Sequence, residues 1–126
     1  MFSASISPAN AAAALAALQV MRQEPERVER VNKISERMRK ALNELGFNTG
    51  HSTTPIVPVF IGDTKRTFIT WKLLFQSGVF VNATIPPAVP EGKQLLRTSF
   101  MATHTEEQLS QVLEAFEAVG KQVGLI

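Results

Sequence analysis

The stretch PPAVP, Pro86 to Pro90, puts three prolines into five residues. Proline has no backbone N–H and a fixed φ, so neither a helix nor an inner strand can run through it. The segment must be a stiff, extended loop. It separates a short β-prone run, VFVNATI, from a second one, QLLRTSFM. Earlier prolines divide the rest of the chain. Pro8 suits the first turn of a helix, where its missing N–H costs nothing, and Ser7 before it is a good N-cap. Pro25 ends that alanine-rich helix and starts another. Pro58, inside the β-branched run TPIVPVFIG, makes the expected strand Ile56–Ile61 an edge strand or a bulged one.

Periodicity fills the segments between these breaks. Val28, Val31, Ile34, Met38, Leu42 and Leu45 recur at spacings of three and four, which predicts an amphipathic helix with a charged outer face, closed by Gly46. Asp63 is placed to cap a third helix, with Phe68, Trp71, Leu74 and Phe75 as its expected buried side and Gly78 as its stop. Thr105 and Gln108 form a T-x-x-Q capping box that opens the last helix. Leu109, Val112, Leu113, Phe116 and Val119 then line one face of it. The order α-α-β-α-β-β-α predicts an α+β two-layer domain, a small sheet covered by helices.

Composition limits the function classes. The chain has 126 residues, 44% hydrophobic and 19% charged, which fits one globular domain. Net charge is only +2, and basic residues alternate with acids, as in RQEPERVERVNKISERMRK, so no basic stripe points to nucleic acid. The absence of cysteine removes disulfide and thiolate chemistry and fits a reducing compartment. The apolar stretch AAAALAAL is too short to span a bilayer, and MFSASISPAN is not a signal peptide. A cytoplasmic location is expected.

Local motifs do not make a complete enzyme. There is no nucleophile elbow, no H-E-x-x-H, no glycine-rich phosphate loop and no metal-ligand spacing, and the two histidines, His51 and His104, lie far apart. Arg97 is the sharpest residue. In QLLRTSFM, alternation places Leu96, Thr98 and Phe100 on one face and Leu95, Arg97, Ser99 and Met101 on the other. An arginine there is either a sheet-edge residue paired to a surface acid or an anion-binding group. Its planar fork grips a carboxylate with two parallel hydrogen bonds. His104 is expected to bond backbone near a helix start, and His51 to face solvent from a polar turn.

The segments FSASISPANAAAALAAL, TPIVPVFIGD and GVFVNATIPPAVPEGKQLLRTSFMATHTEEQL, in that order, resemble the α-oxoamine synthases. These are pyridoxal-phosphate enzymes of the fold-type I, aspartate-aminotransferase fold, among them serine palmitoyltransferase, glycine C-acetyltransferase and 8-amino-7-oxononanoate synthase. The patterns F-S-x-S-x-x-P at Phe2 to Pro8 and R-x-S-x-x-A-x-H-T at Arg97 to Thr105 carry the resemblance. Ile6-Ser7-Pro8 departs from the family's usual leucine-proline-proline. The resemblance implies decarboxylative condensation of an amino acid with acyl-CoA, with the cofactor as electron sink. It also implies that the Schiff-base lysine lies upstream of FSAS. Residues 1–126 would then be the C-terminal small domain of a longer homodimeric enzyme, with residues 1–24 a linking or docking helix.

By resemblance, Arg97 binds the carboxylate of the amino-acid substrate, and Pro86 and Pro87 form a pocket loop. Ser3 reaches the cofactor phosphate of the other subunit. No residue of this stretch is a catalytic one, no metal is implied, and the stretch alone is expected to be inactive, to hold no cofactor and to self-associate through an apolar docking face. The serine palmitoyltransferase-like group is the one most resembled, with glycine C-acetyltransferase and 8-amino-7-oxononanoate synthase as alternatives. A reading of another class is a stand-alone carboxylate-binding or interaction module without catalysis.

Overall fold

The computed structural model describes residues 4–126. Its elements are α1 (Pro8–Gln23), α2 (Glu26–Glu44), β1 (Ile56–Phe60), α3 (Thr64–Gln76), β2 (Asn82–Thr84), β3 (Leu95–Ser99) and α4 (Glu106–Val123). The strands form one antiparallel sheet in the order β1-β3-β2. Helices α2, α3 and α4 cover one face, so the domain is a two-layer α+β structure.

Register explains which residues enter the core. Val57 stands opposite Thr98, Val59 opposite Leu96, and Leu96 opposite Ala83. Val57, Val59 and Leu96 are completely buried and meet Met38, Leu42, Leu74, Leu109 and Phe116 from the helices. Thr98 can share this face because its hydroxyl donates to the Val57 carbonyl at 2.7 Å. Phe47 closes one end, set edge-on to Phe116 with ring centroids 5.6 Å apart.

Pro58 does sit on an edge strand, and the ladder shows why it is tolerated there. Phe60 donates its N–H outward, to the Asn48 carbonyl at 2.9 Å. Two residues earlier on the same strand, the missing donor of Pro58 therefore lies on the outer side, and no bond to β3 is lost. Asp63 caps α3 by accepting from the Arg66 N–H, and both halves of the Thr105–Gln108 capping box are formed.

The inner face of α3 differs from its apolar pattern. Thr67, Thr70 and Leu74 are its buried residues, with Trp71 half-buried, while Phe68 and Phe75 are 46% and 57% exposed. The threonines can be buried because each hydroxyl is satisfied within the helix. Thr67 donates to the Asp63 carbonyl at 2.6 Å and Thr70 to that of Arg66 at 2.7 Å. Phe75 instead stacks on Trp71 at the surface.

Helix α1 contributes no buried residue; Leu15, Leu18, Val20 and Met21 are exposed along it. No helix among the described residues is long and apolar enough to cross a membrane.

Candidate functional site

The sheet face away from the helices carries the candidate site. Its side chains are Ile56, Pro58 and Phe60 on β1, Leu95, Arg97 and Ser99 on β3, and Asn82 and Thr84 on β2. The β1 column is apolar and the β2 column polar. Arg97 stands between them, opposite Pro58 on one side and Asn82 on the other. This is the middle strand, so the alternative of a sheet-edge arginine is excluded. So is its pairing with a surface acid: the Arg97 side chain makes no ion pair or hydrogen bond among the described residues. No strand carries an acidic residue to neutralise it.

The alternating ladder also orients the backbone around Arg97. Ile61 donates to the Gln94 carbonyl and Phe100 to that of Pro55, which fixes the hydrogen-bonded rungs between β1 and β3. Pro58 and Arg97 lie on the rung between, a non-hydrogen-bonded pair whose side chains approach closely. Arg97 accordingly turns its own N–H and C=O toward Asn82. An exposed guanidinium with five N–H donors, flanked by an apolar ring and a side-chain amide, can receive a carboxylate.

The other residues singled out from sequence have separate settings. Pro86 and Pro87 follow β2 after Ile85, in a turn closed by the Ala88 N–H to the Ile85 carbonyl at 3.0 Å; Pro86 is half-buried and Pro87 exposed. Ser3 lies outside the described residues. His51 is exposed in a turn. His104 has a structural setting: its Nδ1 accepts the Met101 N–H at 3.2 Å, its ring meets Phe100 edge-on, and its carbonyl accepts from Arg30 Nη2. It borders a cleft of about 490 Å³ between the end of α3, the lead into β2 and the start of α4, which also takes in Phe80 and Gln111.

Asn82 was not singled out from sequence. Its signal was the alternation of Phe80, Asn82 and Thr84 in VFVNATI, but only the pairing of β2 with β3 sets it beside Arg97.

The described residues do not form a cradle for pyridoxal phosphate. All six lysines are exposed, on α2, α3, α4 or in the loop before β3, and no acid lies on the open face. A Schiff-base lysine needs a sheltered amine whose charge can be removed, and none is present.

Comparison with known proteins places these features in context. Residues 1–116 match the model of the family "aminotransferase class I and II". The chain is 40% identical over 126 residues to serine palmitoyltransferase of Caulobacter vibrioides, covering all of this chain and 31% of that protein. It is 44% identical over 126 residues to 8-amino-7-oxononanoate synthase of Symbiobacterium thermophilum, covering 32% of it. A solved serine palmitoyltransferase from S. paucimobilis, with bound PLP-myriocin aldimine, superposes with a TM-score of 0.92 at 33% identity, over all of this chain and 32% of that one. The architecture is thus the α+β small domain of the fold-type I transferases. The chain spans about a third of the length of the relatives it matches.

Proposed function

The chain belongs to the aminotransferase class I and II family, and on that premise we propose that it is the C-terminal small domain of a pyridoxal-phosphate-dependent acyl-CoA:amino-acid C-acyltransferase of the serine palmitoyltransferase type. The parent enzyme condenses an amino acid with acyl-CoA and releases CO₂. What carries the reading is Arg97: an unpaired arginine at the centre of an open sheet face, in a chain similar throughout to serine palmitoyltransferases.

In this reading Arg97 holds the amino-acid carboxylate and fixes its orientation. Pro58 keeps one side of the guanidinium apolar, which strengthens the attraction by limiting competing water. Pro86 and Pro87 wall the site, and Ser3 reaches the cofactor phosphate of the partner subunit in a cytoplasmic homodimer. The cofactor and its lysine belong to the other two thirds of the parent. Helix α1, with exposed Leu15, Leu18 and Met21, docks there as well. The 126-residue chain alone turns over nothing. An 8-amino-7-oxononanoate synthase parent is the second reading, since such enzymes and serine palmitoyltransferases match this chain at up to the same 44% identity.

The test uses the full-length enzyme loaded with pyridoxal phosphate. Glycine, L-alanine and L-serine are each paired with acetyl-CoA and palmitoyl-CoA, and free CoA and CO₂ are measured. The reading expects release of both products in equal amounts, fastest with L-serine and palmitoyl-CoA. A preference for L-alanine would move the assignment to the second reading. Amino transfer to a 2-oxo acid with no CoA release would overturn both.

A further inference from the structure

We propose that Asn82 is a second carboxylate-binding residue of the Arg97 site, holding the anion on the β2 side of the guanidinium. The inference deepens the reading of Arg97 and rests on it.

Asn82 is the β2 residue in register with Arg97, on the same face, and its side chain is exposed. Side chains directly opposite on neighbouring strands have Cβ atoms about 5 Å apart. The other polar residues of the face are displaced along the strands: Ser99 stands opposite Ile56 and Thr84 opposite Leu95. The residue on the other flank, Pro58, has no polar side-chain atom. Among the described strand residues, Asn82 alone offers a side-chain donor on the same rung as Arg97. Its side chain makes no hydrogen bond among the described residues.

The chemistry suits a neutral amide. A carboxylate bound in parallel by the Arg97 fork still has lone pairs to satisfy. The Asn82 NH₂ can donate to one of them while its carbonyl accepts from a guanidinium N–H. An aspartate of the same shape would instead pair with Arg97 and repel the substrate. A leucine would leave the carboxylate with an apolar neighbour on each side and lone pairs without donors. Asn82 follows Val81, whose carbonyl accepts the Trp71 indole N–H at 3.0 Å, so the backbone that carries Asn82 is anchored to α3 at the start of β2.

The experiment measures dissociation constants by calorimetry in the full-length enzyme. The probes are L-serine, L-alanine and glycine, each with its carboxamide, which lacks the anionic group. Asn82→Ala should weaken amino-acid binding about tenfold, the size of one hydrogen bond to a charged group. Carboxamide binding should stay unchanged. Asn82→Asp, equal in size, should weaken amino-acid binding further. If Arg97→Ala weakens amino-acid binding while Asn82→Ala and Asn82→Asp do not, the proposal falls and the Arg97 reading stands. If Arg97→Ala leaves amino-acid affinity intact, the reading of the site itself falls. Should Asn82→Ala fail to fold, wild-type amino-acid affinity in Asn82→Asp would still overturn the proposal. Equal weakening of acid and amide would also overturn it, because that marks a merely structural role.

Discussion

Trp71 donates its indole N–H to the Val81 carbonyl at 3.0 Å, joining the middle of α3 to the residue that leads into β2. Strand β2 has only three residues and lies on the sheet edge, so this bond is a main tether of the strand that carries Asn82. Trp71→Phe keeps the aromatic packing and removes the donor, leaving a carbonyl of the buried Val81 without this partner. The substitution should cost about 1 kcal/mol, the typical net value of a hydrogen bond. Amide exchange should speed up in β2 more than in β1. Uniform exchange changes across the sheet would show that the tether is not local.

Gly120 lies where α4 crosses Phe47. A Cβ at this position would come within 2.5 Å of Phe47 Cζ and 3.0 Å of Ile126 Cγ1. Phe47 is 5% exposed and set edge-on to Phe116, so it cannot swing aside freely. Alanine gains up to about 1 kcal/mol of helix propensity over glycine, while overpacking a core costs about 1–3 kcal/mol. Overlap should win, and Gly120→Ala should lower the urea midpoint of the chain. An unchanged or higher midpoint would mean that α4 and Phe47 do not meet this closely.

Arg97→Ala should leave stability nearly unchanged, within about 0.5 kcal/mol, as expected of an exposed residue with no partner. In the full-length enzyme the same change should weaken amino-acid binding by roughly 2–5 kcal/mol. Urea denaturation of the chain and calorimetry of the enzyme measure the two effects separately. A large loss of stability with unchanged affinity would make Arg97 a structural residue.

Thr105→Ala removes the side-chain half of the capping box, in which Thr105 accepts from the Gln108 N–H. The remaining half, the Thr105 N–H to Gln108 Oε1 at 3.0 Å, stays possible. A loss of about 1 kcal/mol is expected, while Thr105→Ser should retain most of the stability. Equal losses in both variants would show that the hydroxyl is not the stabilising group.

Local chemistry in the sequence was enough to place the helix caps at Ser7, Asp63 and Thr105, because capping involves residues three positions apart. It also placed the inner face of α4 and the alternation of β3, where burial follows a regular period. The face of α3 was misjudged because apolar spacing does not count threonines that satisfy their hydroxyls on their own helix. Arg97 could be recognised as unusual within its strand. Whether it stood at the edge or the centre could not, since strand order is a relation between segments far apart in the chain.

The sequence by itself determined the order of the elements, the helix caps at Ser7, Asp63 and Thr105 and the two faces of β3, all of which depend on neighbours within a few residues. It also contained the segments that mark the family. Only the tertiary structure decided that β3 is the central strand, that no acid reaches Arg97, and that Pro58 and Asn82 flank it. The physical reason is register: a slip of one residue between strands turns a side chain to the opposite face. Register here is set by the burial of Val57, Val59 and Leu96 together, a condition that no single segment contains.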